Sequence, residues 1–220
     1  MQKKKKKPRT ASLTYEKKYL ELGYTRIIGL DEAGRGAWAG PVFAGAVALP
    51  HNTDDLMDRL AGVRDSKEMT PKQREILSET IQQVAVVWGV GSASSQEIDE
   101  LGIISATKLA MRRALLQAIG MHFKPDVLLL DAITWDSAPV DAIQQHIIRG
   151  DKHSLTIAAA SVLAKVSRDR YMRNLDEQYP RYAFGRHKGY GTKAHRAVIE
   201  QYGITPEHRR CFRPIQEMSR

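Results

Sequence analysis

Residues 26–50 read RIIGLDEAGRGAWAGPVFAGAVALP. Arg26-Ile27-Ile28-Gly29-Leu30 is an apolar, β-branched run, expected to form a strand that ends at Asp31. Ala33-Gly34-Arg35-Gly36 follows as a glycine-rich turn, and Pro41 to Leu49 reads as a second strand closed by Pro50. A short connection joins only antiparallel neighbours, so the chain opens with an antiparallel pair. Upstream, residues 12–22 form a short helix ending at Gly23. Downstream, Thr70-Pro71 has the form of an N-cap followed by proline, opening a helix to about Gln83. The β-branched stretch Val84 to Val90 predicts a third strand.

The second half alternates. Glu97 to Ile119 is helical, with Met111, Ala114, Leu115 and Ala118 at the i, i+3, i+4, i+7 spacing of one buried face and Gly120 as its cap. Val127 to Leu130 is a strand delivering Asp131, and Ile143 to Ile148 a fifth strand before Gly150-Asp151. A long helix runs from Thr156 to Glu177. Its small-residue run Ala158-Ala159-Ala160-Ser161 permits close approach to a sheet. A last helix spans about Lys193 to Gln201. Three strands followed by helix, strand, strand and helix specify an α/β fold with a five-stranded mixed sheet flanked by helices and a helical, basic C-terminal part.

Three acids share one placement. Asp31, Asp131 and Asp151 each follow an apolar, β-rich run, and strand ends are where open α/β sheets gather their sites. Carboxylates converging at one edge repel and need cations. Oxygen ligands without His or Cys favour Mg²⁺ or Mn²⁺. Glu32 adjoins Asp31, yet side chains alternate across a strand. Either the strand breaks there or one residue contributes its carbonyl. Taken singly, each acid reads as a turn or cap residue, Asp151 most clearly as a cap for the following helix. A dinucleotide fingerprint is excluded, because Gly34, Gly36 and Gly40 give G-x-G-x-x-x-G, one residue too long.

The charge distribution names the class of partner. The net charge is +9. Residues 10–161 carry 15 basic and 19 acidic groups, whereas residues 162–220 carry 13 basic and 6 acidic ones. A basic last third points to a polyanion, nucleic acid before others, and two-metal phosphodiester chemistry suits carboxylates beside such a surface. Residues 1–22, with Lys3 to Lys7, form a flexible Lys-rich segment, and residues 23–220 a single domain. No apolar run follows the lysines as in a secretory signal, and no stretch approaches the roughly 20 apolar residues of a membrane span. Cys211 is the lone cysteine, so neither an internal disulfide nor a cysteine metal cage is available, and the expected location is cytoplasmic.

GLDEAGRGAWAGPVFAGAV strongly resembles the opening of the ribonuclease HII family. Asp65-Ser66-Lys67, the strand VLLLD ending at Asp131, Gly150-Asp151, the AAASVLAKVSRDR helix and His187-Lys188-Gly189-Tyr190-Gly191-Thr192 follow in the family's order, over about residues 24–213. The resemblance implies a ribonuclease H-like fold and Mg²⁺- or Mn²⁺-dependent endonucleolytic cleavage of RNA in RNA–DNA hybrids. It also implies incision 5′ to single ribonucleotides in duplex DNA, leaving 3′-hydroxyl and 5′-phosphate ends, as ribonucleotide and RNA primer removal require. It implies Asp31, Glu32, Asp131 and Asp151 as catalytic metal-binding acids. Gly34-Arg35-Gly36 matches the loop reading the ribose 2′-hydroxyl, which separates RNA from DNA. Tyr190 matches the aromatic packed on the junction sugar. Ser66, Lys67, Lys165 and Lys188 complete the substrate-binding set, the lysines as phosphate contacts. A monomer without an obligatory protein partner is expected, and a sliding-clamp partner is unsupported, since no aromatic clamp motif is visible after Arg213.

The chain departs from the family pattern at Ala37-Trp38, at Glu68 and at Ala132, where glycine is usual. Asp169 is a rival fourth ligand, but an ion pair with Arg173 or Lys165 is the preferred reading. His187, His195 and His208 are spaced too loosely for a metal cage and are expected to face phosphate or solvent. A nucleic-acid-binding protein with a dead site is the rival from another class, and retention of all four acids argues against it.

Overall fold

The computed structural model describes residues 9–218. Its centre is a five-stranded sheet of β1 (Ile27–Ala33), β2 (Val42–Ala48), β3 (Val87–Ala93), β4 (Val127–Asp131) and β5 (Ile143–Ile147), in the order β3-β2-β1-β4-β5. β1–β2 and β2–β3 are antiparallel, whereas β1–β4 and β4–β5 are parallel. The mixed sheet expected from the opening pair is therefore present.

Alternation along the strands supplies two apolar faces. Ile28, Leu30, Leu128 and Leu130 pack with Ala106, Ala110, Met111, Ala114 and Leu115 of α4, the helix Ser95–Ile119. α4 starts two residues earlier than expected, because the Ser94 hydroxyl and the Glu97 carboxylate close a capping box, and it kinks at Gly102. The other face packs α6 (Leu155–Gln178), with Ala158, Ala159, Ala160, Val162 and Leu163 against Val47 and Leu49. The approach is close. A Cβ added at Gly45 would lie 2.3 Å from the Ala160 carbonyl oxygen.

α3 (Pro71–Val84) has the expected Thr70 cap but continues through Val84, whose side chain is buried on the same helix face as Ile81. The third strand therefore begins at Val87 rather than Val84. The flexible boundary at residue 22 also moves. α1 (Thr14–Glu21) is docked, with Tyr19 packed among Ile27, Leu129 and Ile157. Glu16 is buried and accepts from the Ser154 hydroxyl at 2.6 Å and the Thr156 backbone N–H at 2.9 Å. Lys3 to Lys7 lie outside the described residues.

The remaining helices are α2 (Leu56–Arg59), α5 (Gly150–His153), α7 (Phe184–His187), α8 (Lys193–Tyr202) and α9 (Arg213–Met218). Among the described residues no helix is long and apolar enough to cross a membrane.

Candidate active site

β1 does not end at Asp31. It stays paired with β2 through Ala33, with Asp31 opposite Gly45 and Glu32 opposite Ala44. The ladder between β1 and β4 stops at Leu30–Leu130, one residue short of both Asp31 and Asp131. Asp31 and Glu32 thus both lie in paired strand beyond the end of the β1–β4 ladder, and of the two it is Glu32 that lines the cleft. Asp31 is buried and hydrogen-bonded by Ser161, and its Oδ1 accepts from the Glu32 backbone N–H at 2.7 Å. Glu32 points into a cleft of about 450 Å³, lined also by Ala33, Gly34, Arg35, Gly36, Ser66, Lys67, Lys165 and Tyr190.

Burial and neighbouring charge shift three of these acids, Asp31, Glu32 and Asp151. Burial holds Asp31 well above the ordinary carboxylate range, and the charges of Glu32 and Asp131 push it the same way. Burial also raises Glu32, against the pull of Arg35, whose Nη1 donates to its Oε1 at 3.1 Å. Asp131 ends β4 and accepts the Gly150 backbone N–H at 2.8 Å. Asp151 is not at a strand end. β5 stops at Ile147, Arg149 turns the chain with φ 56°, and Asp151 sits in the first turn of α5. Nor does it cap the long helix, because the Ser154 hydroxyl does so by accepting from the Ile157 N–H at 3.1 Å. Burial pushes Asp151 up to about 6, assisted by the charges of Asp65 and Asp131 and opposed by Lys67.

Asp65 was visible only as part of the Asp65-Ser66-Lys67 triplet, since no strand precedes it. Its Oδ1 accepts the Lys67 N–H at 2.9 Å and holds a short 3-10 turn over Ser66–Glu68. Burial works against the Lys67 charge, but Asp31, Asp65 and Asp151 outweigh it and keep the ammonium above its ordinary range. Ser66 lies at the cleft floor, its hydroxyl 3.0 Å from that of Ser161.

The glycine loop rests on two arginines that basic composition alone would place on the surface. Arg168 is fully buried, donating from Nε to the Pro41 carbonyl at 3.0 Å and from Nη2 to the Ala39 carbonyl at 3.2 Å. Arg209, equally buried, donates to the carbonyls of Gly40 at 2.9 Å and Arg35 at 2.8 Å. Gly34 has φ 96°, and a Cβ there would lie 2.0 Å from Arg168 Nε, so only glycine fits. Tyr190 is partly exposed over this charge, 5.4 Å from the Arg168 guanidinium and 6.0 Å from the Lys165 ammonium.

Three sequence readings change or narrow. Lys188 does not line the cleft, because its ammonium donates to the Gly185 carbonyl. Asp169 is an ion-pair residue, 2.7 Å from Lys165 and 3.3 Å from Arg74, while Arg173 pairs with Glu75. The histidines face neither phosphate nor solvent in the way their spacing suggested. His195 and His208 are fully buried and 3.1 Å apart, and His187 stacks on His195. Helix α8 brings His195 back against His187 at the end of α7, which linear spacing does not reveal.

The donor set fits a hard divalent cation. It is all oxygen, it is mutually repulsive, and Glu32 Oε2 is buried without a partner. Among the described residues no three Asp, Glu, His or Cys side chains are already closed round one ligand point.

Comparisons agree with this geometry. The family profile of ribonuclease HII matches residues 28–215. The chain is 48% identical to a ribonuclease HII of Roseiflexus castenholzii over 204 residues, covering 93% of this chain and 89% of that one. The ribonuclease H2 structure from Pyrococcus horikoshii OT3 superposes with a TM-score of 0.72 at 26% identity, over 88% of this chain and 97% of that chain. A Bst ribonuclease HIII solved in complex with Mn²⁺ has a TM-score of 0.67 at 17% identity, over 90% and 70%, a likeness of fold. The chain thus belongs to the ribonuclease HII family and is an endonuclease of RNA–DNA hybrids.

Proposed function

We propose that this chain incises duplex DNA on the 5′ side of a single embedded ribonucleotide and also cuts longer RNA–DNA hybrids, leaving 3′-hydroxyl and 5′-phosphate ends. The observation that carries this reading is the juxtaposition, in one cleft, of Glu32, which is coupled by charge to Asp31 and Asp131, with the Gly34-Arg35-Gly36 loop and the Tyr190 ring. The family is divalent-metal dependent. Asp31, Glu32, Asp131 and Asp151 are the residues to hold Mg²⁺ or Mn²⁺. The manganese complex of the ribonuclease HIII neighbour supports that choice. Bound there, such a cation would lower the pKa of an attacking water and stabilise the leaving oxygen.

The chain's own residues position the substrate. Gly34 and Gly36 carry no side chain and Arg35 turns its guanidinium to Glu32, so the loop backbone approaches the ribose closely, and a 2′-hydroxyl adds a hydrogen-bonding group that deoxyribose lacks. Tyr190 packs on the sugar at the junction. Lys67 and Lys165 contact phosphate, and the buried charge of Arg168 strengthens the site for a polyanion. The chain from α1 onward acts as one catalytic domain, the protein works as a monomer in the cytoplasm, and its role is ribonucleotide and RNA primer removal during DNA repair and replication.

A labelled DNA duplex holding one ribonucleotide tests this reading with Mg²⁺, Mn²⁺ or EDTA, against all-DNA duplex and Asp131→Asn protein. Incision 5′ to the ribonucleotide, lost with EDTA and with the substitution, is the expected result. Binding without incision under every metal condition overturns it.

A further inference from the structure

Behind the cleft lies a second titratable cluster, formed by His187, His195 and His208 against Tyr182 and Phe184. A neutral imidazole offers one donor and one acceptor. Here the backbone settles which nitrogen is which. The Thr205 N–H donates to His208 Nδ1 at 2.9 Å, so His208 carries its proton on Nε2. That nitrogen lies 3.1 Å from His195 Nε2, which must therefore accept. His195 in turn carries its proton on Nδ1 and donates to the Tyr190 carbonyl at 3.0 Å. His187 works on the adjoining residue. Its Nδ1 accepts the Gly189 N–H at 3.2 Å, and its Nε2–H donates to the Tyr182 carbonyl at 2.8 Å.

The segment so held is strained. Lys188 and Gly189 are consecutive left-handed residues, with φ 53° and 76°. Such conformations persist where the surroundings over-determine them. The strained turn sets the direction in which Tyr190 leaves the loop.

We propose that His195 and His208 are positioning residues, a neutral imidazole relay running from the Thr205 backbone to the Tyr190 carbonyl that fixes the Tyr190 ring over the cleft. The proposal rests on the reading of Tyr190 as the residue at the ribose junction. A protonated ring would set two N–H groups against each other, at Thr205 or between the two imidazoles. Burial, with the neighbouring histidines, holds His195 at about 3 and His208 at about 4, which keeps the relay neutral near pH 7.

¹⁵N NMR of histidine-labelled protein reads the tautomers directly. The expected result is Nδ1–H for His195 and Nε2–H for His187 and His208. Two variants then separate the donor from the ring. His195→Asn keeps an amide near the Nδ1 position and can still donate to Tyr190. His195→Gln places its amide near Nε2 and cannot. Both lose the imidazole, and the shorter Asn leaves the larger void, so packing alone would make Asn the more damaging of the two. KM for the singly substituted duplex is expected to be about threefold to tenfold higher for Gln than for Asn, the factor carried by one hydrogen bond, with kcat within about twofold. Equal KM values, or an Nε2–H tautomer at His195, overturn the relay. If the tautomers are as assigned but Tyr190→Ala leaves KM unchanged, the Tyr190 reading fails and the relay loses its purpose.

Discussion

Replacing Asp151 by Asn should stabilise the metal-free protein. Asp151 is raised from 3.8 to about 6, first by burial and then by Asp65 and Asp131. A rise of about two units corresponds to about 3 kcal/mol. Water entering from the open side of the cleft screens part of this, so about 1–2 kcal/mol is the expected effect. The folded carboxyl holds its proton more tightly than the unfolded one. The contribution is therefore fully present below pH 3.8 and is lost as pH rises through about 6. An Asn amide donates to the Asp65 carboxylate as a protonated Asp151 would, without titrating. For a chain of this length the gain corresponds to a melting point about 3–6 °C higher. Thermal melts of both proteins in EDTA at pH 7.5 and pH 4.5 check it. The gap should be largest at pH 7.5 and shrink at pH 4.5, and Mg²⁺ at pH 7.5 should raise the wild type more than the variant. Equal melting points at pH 7.5 in EDTA, or a gap independent of pH, refute the claim that the carboxylate cluster is held at the expense of stability.

Ala132 has φ 50°, so Ala132→Gly should relieve left-handed strain and raise stability by about 0.5–1 kcal/mol net of the added unfolded-state entropy, seen as a higher urea midpoint. Glu16→Ala leaves the buried Ser154 hydroxyl and the Thr156 N–H without their acceptor and should cost about 2–4 kcal/mol, whereas Glu16→Gln, which retains Oε1, should cost about 1 kcal/mol; chemical denaturation compares them. Gly34→Ala must displace Arg168 and with it the loop, lowering kcat/KM on the singly substituted duplex about 100-fold. Gly36→Ala, whose Cβ would meet nothing within 4 Å, should melt with the wild type.

Much of the fold follows from local chemistry. The apolar run before Asp31, the Thr70-Pro71 cap and the small residues of the long helix each act over a few neighbours, and each produces the expected element. The errors fall where distant contacts decide. Val84 is β-branched, yet it completes a buried helix face, and α1 is held in place by burial of Tyr19 and Glu16. The strand-end reading of Asp151 takes Ile148-Arg149-Gly150 as a continuation of β5. A left-handed Arg149 turns the chain and starts a helix instead.

The sequence by itself determined that acids follow the apolar runs of β1 and β4 and that a glycine loop follows β1, because strand runs and glycine turns are local signals with fixed periods. Only the tertiary structure decided how those residues are tuned. Asp65 presses on Asp151 across a gap of 86 positions in the chain, and two buried arginines hold the carbonyls of the glycine loop. Three histidines that look scattered along the chain meet behind Tyr190, two of them fully buried and His187 half-buried against His195. Burial and charge coupling depend on distance in space, and linear spacing carries that distance only within a single helix, strand or turn.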